Sequence, residues 1–319
     1  MEACPRDAWI LDDDALGLDL EACDGCGLCR PVCPEGAIDI NLPIAIKTGQ
    51  DQQVGMAACE RSGVEEVKGI LPCIHALGLQ EILRLYQRGV RQLIIALGDC
   101  DECPRGGGLR LDQRIVSLNG SLQQSGHSPI LLTQKRASAW TAYQLHMDEA
   151  PAGPVVSRRG FLRAFVEADE RIASSLSLFL GGEGGLFDPP AQLLPGLNDG
   201  AILPWVPEID PHRCSGCDAC TRICPHQALR LEDDDARPVY RLEASRCTGC
   251  GLCRDVCDQD AISIQHWLAQ QQRSIPLQQA ICPSCGAPFH EPEPVSKAST
   301  FLCRICSRTN HQRNLYQVL

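Results

Sequence analysis

Cysteine spacing is the feature that most constrains this chain of 319 residues. Between residues 214 and 257 the pattern Cys-x2-Cys-x2-Cys-x3-Cys occurs twice, and each copy is followed by a short apolar segment. A [4Fe–4S] cube needs four thiolates, and the two-residue gaps let one loop supply three of them while the fourth comes from elsewhere in the chain. The repeat therefore predicts two iron–sulfur clusters, with two zinc sites or disulfides as the alternatives.

The duplicated motif resembles the bacterial two-cluster ferredoxins, and the resemblance covers residues 205–268. Because the motif is duplicated, the ligand sets are expected to cross, so that each cluster takes its fourth cysteine from the other copy. The expected sets are Cys214, Cys217, Cys220 and Cys257 for one cluster, and Cys247, Cys250, Cys253 and Cys224 for the other. Asp258 stands where the family usually has proline after the fourth cysteine.

The cysteine count and the charge limit the function classes. All 21 cysteines fall into groups of five, four, eight and four, and such spacing without a secretory leader is typical of metal ligands rather than disulfides. No apolar run reaches the length of a membrane span, so we expect a cytoplasmic protein without a membrane segment. The net charge of −11 argues against a nucleic-acid partner.

A third copy of the motif lies near the amino terminus, with Cys23, Cys26, Cys29 and Cys33. Since only one copy is present here, crossed ligation leaves its cluster one thiolate short. Cys4 fills the gap, because residues 4–11 align with residues 33–40 as Cys-Pro, then Ala, then an apolar strand. We therefore expect Cys4 to complete this cluster and Cys33 to be spare; the alternatives are that Cys33 closes the cluster or that another chain does.

Residues 44–135 alternate apolar strands with amphipathic helices. The predicted strands lie at 54–59, 67–73, 93–97 and 130–132, and the predicted helical faces comprise Leu79, Ile82, Leu83 and Tyr86, then Leu111, Ile115, Leu118 and Leu122. This pattern predicts a parallel sheet covered on both faces. Ligands gather at the carboxyl edge of such sheets, and four cysteines follow strand ends: Cys59, Cys73, Cys100 and Cys103.

This middle region resembles the iron–sulfur delta subunit of methyl-viologen-reducing hydrogenase, on residues 58–63, 71–75 and above all 89–103. The resemblance implies a [2Fe–2S] cluster or another iron–sulfur centre. A single cysteine at Cys59, where the family commonly has more, leaves the cluster type open. The alternatives are a dithiol redox pair at Cys100 and Cys103, a zinc site, or a docking module. His75 is interpreted as a packed or capping histidine rather than a ligand.

Two further segments complete the chain. Residues 148–204 are rich in proline and glycine and indicate a linker or extended arm, within which Ser157 is expected to cap a short amphipathic helix. Near the carboxyl terminus, two Cys-x2-Cys pairs have the spacing of a zinc ribbon, with rubredoxin-type iron as the alternative. Its expected Zn²⁺ ligands are Cys282, Cys285, Cys303 and Cys306.

The sequence thus predicts an α+β multidomain protein. The expected domains are a single-cluster ferredoxin-like module (1–43), a small α/β parallel-sheet domain (44–147), a linker or arm (148–204), a two-cluster ferredoxin domain (205–272) and a zinc ribbon (273–319). Three [4Fe–4S] clusters and the expected centre of the middle region, without a nucleotide motif, indicate an electron-transfer subunit rather than a stand-alone enzyme. The resemblance to the hydrogenase delta subunit implies redox partners: a dehydrogenase or hydrogenase-type oxidoreductase and an acceptor such as a heterodisulfide-reductase-like module. The alternative function is a non-catalytic iron–sulfur assembly or redox-sensing protein.

Overall fold

A computed structural model of the chain describes residues 3–13, 15–49, 52–65, 67–106, 110–149, 187–198, 200–234, 237–293 and 302–308. The chain divides into two compact units. Unit 1 comprises Met1–Asp188 with Leu193–Pro195, and unit 2 comprises Pro189–Gln192 with Gly196–Leu319. Within the described ranges, no helix has both the length and the apolar character needed to cross a bilayer. The helix predicted at Ser157 lies outside the described residues.

Unit 1 begins with a small hairpin. Strand β1 (Trp9–Leu11) pairs antiparallel with β2 (Leu16–Leu18). Ala8, directly before β1, is fully buried. The backbone N–H of Asp19, directly after β2, donates to the carbonyl of Ala8 at 2.8 Å. The hairpin therefore holds the residues at the amino terminus against the loop that carries the first three-cysteine group.

The middle of unit 1 is a mixed six-stranded sheet. Its strands are β3 (Ala45–Gly49), β4 (Gln52–Cys59), β5 (Ile70–Leu71), β6 (Val90–Ala96), β7 (Leu131–Gln134) and β8 (Asp148–Glu149). The order is β7-β6-β4-β3-β8, and β5 also pairs with β4. Strands β4 to β7 pair in parallel, as predicted, whereas β3 runs antiparallel to both β4 and β8. The expectation of a parallel sheet was therefore wrong for β3 and β8, because β3 pairs antiparallel with β4, the next strand along the chain, and with β8.

Three helices accompany this sheet: α1 (Leu79–Gln87), α2 (Leu111–Gln124) and α3 (Ala137–His146). The apolar faces predicted for the first two are confirmed, since Ile82, Leu83 and Tyr86 of α1 and Leu111, Ile115, Leu118 and Leu122 of α2 are buried. Helix α3 was not predicted. It is anchored by Trp140, which is fully buried and donates its indole N–H to the carbonyl of Ile94 at 2.9 Å.

Unit 2 contains a two-stranded sheet and a four-stranded sheet. The first pairs β9 (Ile202–Ile209) with β12 (Ile262–Ala269). The second has the order β10 (Leu229–Asp234), β11 (Arg237–Leu242), β13 (Ser274–Ile281) and β14 (Pro288–Pro292). Three short helices are α4 (Ala219–Ile223), α5 (Leu252–Asp255) and α6 (Arg304–Arg308). Because β13 pairs with both β11 and β14, the larger sheet runs across the boundary expected between residues 272 and 273.

Candidate iron–sulfur and metal sites

Two separate cavities in unit 2 are each lined by four cysteines. One cavity is lined by Cys214, Cys217, Cys220 and Cys257. The other is lined by Cys224, Cys247, Cys250 and Cys253. Each set takes three cysteines from one loop and the fourth from the other copy of the motif, which is the crossed combination expected from the sequence.

The chemistry of these cavities suits iron–sulfur clusters. Cys220 and Cys253 belong to the hydrophobic core of unit 2, and three more of the cysteines pack against it: Cys214, Cys224 and Cys257. Burial raises the pKa of Cys220 and of Cys247 to about 12, and neighbouring cysteines add to both shifts. Four thiolates are stable in such a place only when cations compensate their charge, and sulfur is the donor that iron–sulfur clusters take. The donor set therefore fits two [4Fe–4S] clusters.

Each fourth cysteine of unit 2 begins the same turn. The residue three positions later has a positive φ, and the alanine four positions later donates its N–H to the cysteine sulfur. The two copies comprise Cys224, Gln227 (φ 53°) and Ala228, and Cys257, Asp260 (φ 46°) and Ala261. The nitrogen-to-sulfur distances are 3.2 Å and 3.3 Å. Hydrogen bonds of this kind orient a ligand and raise the potential of a cluster.

Cys4 has this same turn. Asp7 has a φ of 49°, and Ala8 donates its N–H to Cys4 Sγ at 3.4 Å. Burial raises the pKa of the Cys29 thiol, and Cys23 and Cys4 lie close enough to raise it further. The structure thus brings Cys4 beside the three-cysteine loop of unit 1 in the geometry of the fourth cysteines of unit 2.

Cys33 begins only part of that turn. Gly36 has a φ of 61° and donates its N–H to the carbonyl of Cys33 at 3.4 Å. Among the hydrogen bonds of the described residues, Ala37 donates none to Cys33 Sγ. A side chain at Gly36 would overlap the ring of Phe187, so the segment at 187 packs directly on this turn. Cys33 Sγ therefore lacks the backbone N–H···S hydrogen bond that Cys4, Cys224 and Cys257 accept.

The four cysteines of the middle domain converge at the carboxyl edge of the sheet. Cys59 is the last residue of β4, and Gly98, just past β6, donates its N–H to Cys59 Sγ at 3.3 Å. Burial raises the pKa of the Cys73 thiol, and the nearby Cys59, Cys103 and Cys100 raise it further. The edge predicted from the strand pattern is therefore where these thiols meet.

His75 contacts this group through a defined tautomer. Its Nδ1 accepts the N–H of Leu111, the first residue of α2, at 3.2 Å. A backbone N–H can only donate, so the ring proton lies on Nε2, which is 3.6 Å from Cys100 Sγ. Burial lowers the pKa of His75, and Arg110 and Arg114 lower it further, so the ring is neutral. His75 thus caps the helix, as interpreted, and also donates a hydrogen bond to a cysteine sulfur.

The carboxyl-terminal cysteines form a tighter group than the others. The sulfur atoms of Cys282, Cys285, Cys303 and Cys306 all lie within 4.8 Å of one another. The distance from Cys285 Sγ to Cys303 Sγ is 3.7 Å. A tetrahedron with Zn–S bonds of about 2.3 Å has edges of about 3.8 Å, so the group fits one tetrahedral ion.

This carboxyl-terminal segment packs on the first cysteine loop of unit 2. His290 of β14 lies 2.7 Å from Asp218, between two cysteines of that loop, and the hydroxyl of the buried Tyr240 donates to the same carboxylate oxygen at 2.7 Å. Burial raises the pKa of Asp218, but the hydrogen bonds from His290 and Tyr240 outweigh it and lower the pKa. Sequence reasoning missed this network, since nothing in the spacing of residue 290 indicates its neighbour.

Asp258, the departure from the ferredoxin pattern, has a partner in the same segment. Its carboxylate accepts a hydrogen bond from Arg308 of α6. The residue that replaces proline therefore ties the loop after Cys257 to the carboxyl-terminal segment.

The fold and the cavities define a protein with ferredoxin-type iron–sulfur domains, and comparison with known families agrees. A family model described as a 4Fe-4S dicluster domain matches residues 213–261. A second, described as a 4Fe-4S binding domain, matches residues 17–39. The chain therefore carries two ferredoxin-type 4Fe-4S domains, one in each unit, and these domains support an iron–sulfur electron-transfer role.

Among individual proteins, the chain is similar to hydrogenase-4 component A of Escherichia coli (strain K12). The two are 30% identical over 106 residues, which make up 33% of this chain and 47% of that protein. The chain thus matches about half the length of this relative.

Proposed function

We propose that this chain is an electron-relay subunit, which carries single electrons between a dehydrogenase or hydrogenase-type oxidoreductase and an acceptor such as a heterodisulfide-reductase-like module. The observation that carries the proposal is the pair of four-cysteine cavities in unit 2. Fully thiolate-ligated clusters have no open iron position for a substrate, so they transfer electrons rather than catalyse bond chemistry. The similarity to a hydrogenase component supports a partner of the hydrogenase type.

In this proposal the relay has four centres. Two [4Fe–4S] clusters occupy the cavities of unit 2, and a third is held by Cys4, Cys23, Cys26 and Cys29. The fourth is an iron–sulfur centre on the middle cysteines, in a domain like the hydrogenase delta subunit. In the described part of the chain, no three of those middle cysteines have sulfur atoms as close together as the group at 282–306. That wider spacing favours a centre with more than one metal ion.

We place this relay protein in the cytoplasm.

A redox titration under anaerobic conditions tests the relay. The experiment follows EPR signals while the protein, purified without oxygen, is reduced stepwise and reoxidised. Reversible one-electron cycling of the clusters is expected, together with reduction of an added acceptor protein. Clusters that disassemble on reduction, or that are transferred intact to an apo-ferredoxin, would instead favour an assembly or sensing role.

One prediction concerns His75, which donates to Cys100 Sγ. Replacing it with leucine removes a hydrogen bond that stabilises the more negative, reduced state of the middle centre. We expect the midpoint potential of that centre to fall by about 20 to 60 mV, the equivalent of one hydrogen bond in a one-electron couple. Potentiometric EPR measures the shift. His146→Leu, on the exposed end of α3, serves as the control, and an unchanged potential in His75→Leu would exclude the role.

A second prediction concerns the carboxyl-terminal metal. Cys282→Ser is expected to remove about one zinc ion per chain and to leave the iron content unchanged, because a tetrahedral four-cysteine site needs all its ligands. The segment around residues 282–306 should then become sensitive to protease, since so small a fold depends on its metal. Ile281→Ala, which changes an exposed side chain next to Cys282, is the matched control. Iron instead of zinc in this site of the wild-type protein would contradict the prediction.

A further inference from the structure

The first cysteine loop and the middle cysteine group of unit 1 are in direct contact. Cys26 of the loop and Cys73 of the middle group pack together with Leu28, and each of the three is less than one-tenth exposed. The backbones approach closely beside them, because a side chain at Gly27 would meet the side chain of Ala76 at 3.0 Å. Ligands of two different centres therefore share one buried contact.

Arg105 holds both groups of ligands with one guanidinium. It donates to the Asp24 carboxylate at 2.8 Å and to the Glu60 carboxylate at 3.1 Å. It also donates to the backbone carbonyls of Pro72 at 2.6 Å and of Asp24 at 3.2 Å. Only 11% of the Arg105 side chain is exposed.

Each partner of Arg105 is next to a cysteine. Asp24 follows the first cysteine of the amino-terminal loop, Glu60 follows Cys59, and Pro72 precedes Cys73; Arg105 itself lies two residues after Cys103. A planar guanidinium with several fixed donors is suited to join such segments. Arg105 therefore fixes the spacing between the two cysteine groups.

From this geometry we infer that unit 1 is a two-centre electron wire, in which one electron passes directly between the amino-terminal [4Fe–4S] cluster and the middle centre across the Cys26–Cys73 contact, with Arg105 as the positioning residue. The inference rests on the proposed iron–sulfur occupancy of both groups. The step breaks no bond: one centre loses the electron that the other gains, and external redox proteins supply and remove it. The middle centre is thus the immediate redox partner of the first cluster.

EPR of the fully reduced protein tests the contact without any variant of Arg105. Two neighbouring paramagnetic centres split and broaden each other's signals. We expect the wild-type spectrum to show an interaction that disappears in Cys59→Ala, which removes a ligand of the middle centre, whereas any interaction between the two clusters of unit 2 is retained in that variant. If iron analysis finds both centres but the wild-type spectrum equals the sum of the separate signals, the wire is wrong while the relay stands. If the middle group holds no iron, the proposed function fails there instead.

Arg105→Gln tests the positioning role. It is expected to retain both centres while the magnetic interaction weakens and electron transfer between them slows at least about tenfold. The two midpoint potentials should also fall, because a nearby positive charge is lost. Arg6→Gln is the matched control. Arg6 also binds Asp24, at 3.2 Å, but this contact involves only the amino-terminal cysteine loop. Equal splitting and equal transfer rates in the two variants would exclude Arg105 as the positioning residue.

Discussion

Replacing Cys4 with alanine is expected to destroy the [4Fe–4S] cluster of unit 1, whereas replacing Cys33 with alanine is expected to leave it intact. The reason is the turn that follows each cysteine: after Cys4, Asp7 has a positive φ and Ala8 donates an N–H···S bond to Cys4, as in the turns of the fourth cysteines in unit 2, and Cys33 lacks that bond. Alanine cannot ligate iron, so the first variant should lose up to about four iron atoms per chain.

Iron and acid-labile sulfide, measured on protein purified without oxygen, distinguish the ligand sets. Cys4 and Cys33 are each followed by a proline, and each variant changes only the cysteine of its own Cys-Pro pair. Each variant is therefore the control for the other. Loss of the cluster in the Cys33 variant alone would assign the site to Cys33. Retention in both variants would point to a ligand from another chain.

The grouping of the cysteines was the part of the candidate sites most accessible from the sequence. A loop that wraps a cluster draws three ligands from seven consecutive residues, so local spacing nearly determines the site. Duplication of the motif predicted that each site takes its fourth cysteine from the other copy. The two cavities show this arrangement, since Cys257 lines the first and Cys224 lines the second. The grouping of the four middle-domain cysteines was predicted from the strand ends that they follow, because parallel strands end at one edge of the sheet.

Contacts between residues that lie far apart in the sequence could not be predicted from it. Arg105 is 81 positions from Asp24, and His290 is 72 positions from Asp218. Charged and histidine side chains occur throughout an exposed surface, so no spacing distinguishes these from solvated ones. Strand β3 was missed for a related reason: it pairs antiparallel with β4, the next strand along the chain, whereas the pattern of alternating strands and helices predicts only parallel neighbours.

Three glycines occupy the same position in the three cysteine loops. Replacing each with alanine compares how closely neighbouring residues pack on each loop. Gly25, Gly216 and Gly249 each precede the second cysteine of a three-cysteine loop, and their φ values are 66°, 67° and 75°. An alanine at any of them carries the same left-handed strain, of about 1–3 kcal/mol. Their surroundings differ, because a side chain at Gly25 meets nothing within 4 Å, one at Gly249 overlaps the ring of Trp205, and one at Gly216 overlaps the backbone carbonyl of His290.

Gly216→Ala is therefore expected to have the largest effect of the three. A backbone carbonyl cannot rotate away as a side chain can, so the carboxyl-terminal segment must move off the loop and break the His290–Asp218 contact, at a further cost of about 1–3 kcal/mol. Gly249→Ala should be intermediate, and Gly25→Ala should show the strain alone. The measurements are the thermal midpoint under anaerobic conditions and the rate at which cluster absorbance bleaches in air. Equal effects at all three positions would mean that His290 and its segment do not protect the cluster of Cys214, Cys217, Cys220 and Cys257.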